Sequence, residues 1–91
     1  MHIFAVGQRV RIVGHWEFTD GIVGTISLPE AFQLDLAEVG EWQGHRRIVR
    51  GPHGSIVFYY VRFDQPADDG SGDGPYAGAE IEGKCLAPVF T

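Results

Sequence analysis

The chain reads as a mainly β protein, a small and partly open barrel of about five short strands. Three observations carry this. β-branched and aromatic residues gather in short runs that alternate with charged ones, as half-buried strands require. Gly, Pro and Asp punctuate those runs at short intervals. At 91 residues the chain makes one domain, residues 1–91, with a modest core, and closing a sheet hides edges that so small a core leaves open. Eleven aromatics compensate for the short length, because each buries a large apolar area.

In chain order, GQRVRIVG alternates Arg9 and Arg11 with Val10 and Ile12, which gives a strand one charged and one apolar face. HWEFTDG follows as a turn-rich connection closed by Asp20-Gly21. Residues 21–27, GIVGTIS, form the second strand, and Gly24 in its middle predicts a bend or bulge. Residues 28–39 read as a short helix. Ser27 and Glu30 have capping-box spacing, and Leu28, Phe32, Leu36 and Val39 share a helical face. The alternation of Phe32, Leu34 and Leu36 also fits a strand, so both forms stay open.

HRRIVRGPHGSIVFYYVRFD reads as a hairpin turning at Gly51–Gly54, with Ile48 and Val49 in its first arm. Residues 56–63 are the strongest strand, with Val57, Tyr59, Val61 and Phe63 on one face. The final segment, AGAEIEGKCLAPV, predicts one short strand or helical turn closing onto the first strand, and Pro88 argues against strand continuing there. Together these elements suggest a barrel of the SH3-like kind.

VRIVGHWEFTDGIVGTIS and YYVRFDQ resemble two stretches of the photosystem I reaction-centre subunit IV (PsaE-type) family. There a V-R-I-type strand leads through an aromatic-containing loop into a V-G-T-V-type strand, and a V-V-R-F strand precedes a Gly-rich loop. The variable chain of ferredoxin–thioredoxin reductase is similar in outline. The resemblance covers about half the chain in two patches. It implies an SH3-like barrel and a non-catalytic accessory role, and nothing about photosynthesis. Residues 28–53 do not match, and the acidic balance departs from a family that is basic where it meets ferredoxin.

Net charge is −5, with 12 acidic against 7 basic residues. That argues against nucleic acid, whose phosphates call for a basic face. Arg46, Arg47 and Arg50 do cluster, and keep a nucleic-acid-associated module as an alternative. One cysteine, Cys85, excludes an internal disulfide and, in its apolar run, reads as buried packing. The histidines at 2, 15, 45 and 53 lack metal-ligand spacing. The apolar run before Gly7 is too short for a signal-peptide core and no long apolar stretch follows, so the expectation is a cytoplasmic protein without membrane insertion.

The most specific motif is DGSGDGPYAGAE. From Asp69 it has the register of a calcium loop: Asp69, Ser71, Asp73, the Pro75 carbonyl, Ala77 through water, and Glu80. It lies between strands, where a calcium-binding hand needs helices, so a plain surface loop is the competing reading. No nucleophile elbow or phosphate loop is present, and the nearness of His15, Glu17 and Asp20 is weak evidence for acid–base chemistry. The expectation is a non-enzyme without a cofactor, calcium being the one candidate. Its partner would be a protein, met by a surface of His15, Trp16, Phe18, Trp42, Arg46, Arg47 and Tyr60, since aromatics and Arg make strong contact points. Phe18 has a competing place as a plug in the barrel end.

Overall fold

The computed structural model describes residues 4–30 and 40–90. Its strands are β1 (Arg9–Ile12), β2 (Val23–Ser27), β3 (Glu41–Gln43), β4 (Arg46–Gly51), β5 (Gly54–Ala67), β6 (Tyr76–Glu82) and β7 (Leu86–Pro88), with a 3-10 turn at Gly83–Cys85. The protein is mainly β, as its residue pattern predicts. The helix expected over 28–39 falls largely outside the described residues. Of its proposed start, Ser27 belongs to β2 and Leu28, Pro29 and Glu30 take no regular structure.

All pairings are antiparallel, in the order β3-β4-β5-β2-β1-β7, with β6 on β5. The long β5 organises the sheet. β4 pairs with Gly54–Tyr59 and β2 with Tyr60–Phe63, end to end along one edge. β6 takes the opposite edge from Phe58 to Arg62. The hairpin turn lies where its Gly and Pro place it, with Gly51 paired to Gly54 across Pro52 and His53.

Three expectations change. The described residues hold seven strands, not about five, because Glu41–Gln43 pairs with β4 and the last segment forms two strands about a 3-10 turn. Pro88 is accommodated in β7 because that strand lies at the end of the order, with no described strand on its other side. The sheet does not close into a barrel, since β6 and β7 do not pair and the 3-10 turn only carries the chain between them. β7 does return to β1, as expected.

The core holds Phe4, Val10, Ile12, Phe18, Ile26, Tyr59, Val61, Phe63, Ile81, Cys85 and Leu86. The period-2 pattern accounts for most of these: Val10 and Ile12 point inward between Arg9 and Arg11, and Tyr59, Val61 and Phe63 share one face of β5. Each fully buried aliphatic side chain contributes about 1.5–3 kcal/mol. Tyr59 ties Phe4 into this core. Its hydroxyl accepts the Phe4 amide at 3.3 Å, and the two rings meet edge-on at 5.3 Å. His45 Nε2–H donates to the Phe4 carbonyl at 2.6 Å.

Gly24 marks a close approach instead of the expected bulge. A Cβ there would lie 2.5 Å from the Arg62 carbonyl oxygen and 2.6 Å from Val61 Cγ1. The irregularity lies in β5, between Arg62 and Ala67. Near it Asp64 accepts from Arg9 Nη1 at 2.6 Å, and Arg9 also donates to Thr25 Oγ1 at 2.9 Å.

The Arg9 hydrogen bond holds the Asp64 carboxyl below its ordinary range. A carboxylate with a depressed folded pKa stabilises above its unfolded value and loses that contribution as pH falls through the folded one. Urea midpoints measured from about pH 5 downward should therefore show wild type converging on Asp64→Asn. A constant gap between the two would contradict the pair's contribution.

Candidate functional site

The β1–β2 loop, residues 13–22, is built from its own side chains. Gly21 N–H donates to the Ile12 carbonyl at 2.9 Å, closing the base, and Asp20 Oδ1 accepts the Gly14 amide at 2.8 Å. His15 Nδ1 accepts the amides of Glu17 at 3.0 Å and Phe18 at 3.1 Å, which places the neutral ring's proton on Nε2. The His15 ring touches Phe18 at 5.4 Å and stacks on Trp16 at 6.0 Å and 20°. Phe18 is 6% exposed and sits against Phe63 at 5.2 Å and Tyr76 at 6.4 Å. Trp16 is 85% exposed. The loop thus inserts one aromatic into the core and holds another in water.

Phe18 consequently belongs to the core and is no contact residue; it is the plug that its competing reading described. Tyr60 is likewise buried, and burial raises its hydroxyl pKa. His15 and Trp16 remain from the predicted surface.

Trp42, Arg46 and Arg47 lie elsewhere, in β3 and β4 at the far end of the strand order from β1. Trp42 is half-buried, with its Nε1–H shielded and unbonded. Arg47 is committed internally: its guanidinium lies 4.5 Å over the Phe58 ring and Nε donates to Glu80 at 2.7 Å. The predicted surface is therefore not one surface.

Arg47→Ala should cost about 1–3 kcal/mol, because it uncovers Phe58 and strips Glu80 of a charged hydrogen bond. Arg47→Lys should recover only part, since an ammonium cannot both stack flat and donate sideways. Chemical denaturation of the two variants measures both effects.

The calcium register is not assembled. Asp69 Oδ1 accepts the Ser71 amide at 2.9 Å and the Ser71 hydroxyl at 2.6 Å, and Ser71 Oγ accepts the Asp73 amide at 3.2 Å. These local bonds hold the Asp69 carboxyl below its ordinary range, with the Ser71 hydroxyl the largest cause. From Tyr76 the chain runs extended as β6. At roughly 3.3 Å per residue a strand carries Glu80 about 13 Å beyond Tyr76, where a calcium hand would fold back. Glu80 pairs instead with Arg47. Among the described residues no three His, Cys, Asp or Glu groups converge as metal ligands.

The 68–75 loop has a different neighbour. It meets the Trp16 loop across Tyr76, which touches a residue of each. Tyr76 strengthens the junction, with its ring on Phe18 and its hydroxyl 3.4 Å from Ser71 Oγ. At the same end of the sheet a cleft of about 330 Å³ opens between Ile22, Val23, Asp64, Gln65, Pro66 and Ala67. The meeting of the loops escaped sequence reasoning because no local spacing encodes a contact between residues 18 and 76.

Cys85 is buried beneath the Trp16 loop, its thiol pKa raised by desolvation and its Sγ 3.7 Å from the Gly14 carbonyl. It serves as packing. Among the described residues no helix is long and apolar enough to cross a membrane. Comparison with known proteins finds no matching family model, curated protein or solved structure.

Proposed function

We propose that the protein is a non-catalytic interaction module that meets a protein partner through the Trp16 loop. The observation that carries this reading is the 85% exposure of Trp16 on a loop whose neighbouring groups are fixed. An exposed indole is costly in water and valuable in a contact, because it buries a large area with few rotatable bonds. His15 and Phe18 pre-order the loop around it, so less conformational freedom is lost on binding. The sequence resemblance of residues 10–27 and 59–65 to a family of accessory subunits is in keeping with the same reading.

Matched affinity captures with wild type and Trp16→Ala test it. A protein retained by wild type and lost by a Trp16→Ala variant with unaltered melting is the expected result. Identical captures from both proteins would remove the reading.

A further inference from the structure

Among the described residues the sheet leaves one long edge open. β3, β7 and β6 each pair with a single strand. An unpaired edge invites a further strand, and short length, Lys or Pro normally blunts it. β3 and β7 have three residues each, and Pro88 stands in β7. β6 has seven residues, Tyr76–Glu82, with neither Lys nor Pro. Among the described residues its backbone bonds only to β5, and no loop or side chain takes up its outer N–H and C=O groups. Its two carboxylates are already paired, Glu80 with Arg47 at 2.7 Å and Glu82 with Lys84 at 3.1 Å.

The residue order of β6 fits a copy of itself. In an antiparallel pair about a two-fold perpendicular to the sheet, one residue faces its own copy. Ala79 is the midpoint of Tyr76–Glu82, so a two-fold there pairs the whole strand. Glu80 then faces Gly78 of the second copy, Glu82 faces Tyr76 and Ile81 faces Ala77. No carboxylate meets another directly, and the diagonal approach of the two Glu80 side chains is offset by their Arg47 partners. Neighbouring registers are worse. Centring on Glu80 sets it against itself, and centring on Ile81 sets Glu80 against Glu82. Centring on Gly78 pushes Ile81 onto Pro75, which has no N–H to donate.

We propose that a second copy of this chain occupies the outer edge of β6, pairing antiparallel about Ala79 so that the sheet continues through the two-fold. The pair is weak, since one strand edge covers less area than a stable dimer buries. It is separate from the Trp16 surface, which belongs to the β1–β2 loop.

Sedimentation equilibrium and amide spectra of the full chain between about 10 μM and 1 mM test this. The mass should rise from one chain towards two, and the dilution-dependent shifts should centre on 76–82. Trp16→Ala should dimerise as wild type does. An Ala79→Cys, Cys85→Ala variant places two thiols directly opposite, at a Cα separation that a disulfide spans. With oxidised glutathione it should form a covalent dimer at least about tenfold faster than Ala77→Cys in the same background, whose thiol faces Ile81. A single-chain mass at the highest concentration, shifts centred on β3, β7 or the Trp16 loop, loss of dimer in Trp16→Ala, or equal cross-linking at 77 and 79 would each overturn the proposal. A mass that climbs past two chains would mean an open array and contradict a closed pair. If the cysteine variants lose the native spectrum, the wild-type dilution shifts decide alone.

Discussion

Tyr59→Ala is expected to lower the melting temperature by roughly 15–30 °C, the largest stability effect of any single truncation here. The side chain is 2% exposed and lies on β5, which pairs with three other strands. Removing a large buried ring costs about 3–5 kcal/mol, a sizeable share of the roughly 5–15 kcal/mol that holds a domain folded. The loss is compounded at Phe4, whose amide and ring both rest on Tyr59. Tyr59→Phe separates the causes. It keeps the ring contacts and removes only the hydroxyl acceptor, for a cost of about 0.5–1.5 kcal/mol. A Tyr59→Ala protein that melts within a few degrees of wild type would show that β5 does not organise the core.

Trp16→Ala should have the opposite profile. Nothing buried is lost, so stability should stay within about 0.5 kcal/mol of wild type. Partner affinity should fall by about 30-fold or more, the effect of losing a contact worth at least about 2 kcal/mol. Titration of a captured partner against both proteins, alongside their unfolding curves, reads the two quantities. His15→Ala gives a graded control. It leaves the indole in place but removes the acceptor for two amides, so affinity should drop less and loop mobility should rise. A Trp16→Ala protein that unfolds would place the indole in the core.

Most of the sheet was legible in the sequence because period-2 burial is a local property. Val10 and Ile12, or Tyr59, Val61 and Phe63, declare their faces by alternation alone. The Gly51–Gly54 turn was legible for the same reason. What escaped was set by pairing at long range. Gly24 reads as a bulge until β5 is seen pressing against it. Pro88 reads as a strand breaker until β7 is placed at the sheet's end. The strand β6, not the ligand spacing, decides where Glu80 goes.

At the candidate site the residue types were legible and their sorting was not. Trp16 and Phe18 are neighbouring aromatics in one loop, and nothing in their spacing says which enters the core. The answer lies with Phe63 and Tyr76, 45 and 58 residues further along, which receive Phe18 at 5.2 and 6.4 Å. The arginines looked like a contact cluster because they are adjacent in sequence. In a strand, adjacent residues point to opposite faces, and Arg47 is turned onto Phe58.

Everything proposed for the Trp16 loop depends on its presenting a water-exposed indole in a fixed place. Time-resolved fluorescence of Trp16 in a Trp42→Phe background measures both properties at once. Acrylamide quenching near that of a free indole is expected, combined with an anisotropy decay that follows the tumbling of the whole domain. Shielded emission would mean that the indole is packed away, and a fast local decay would mean that the loop does not hold it; either result would contradict the interaction reading at its base.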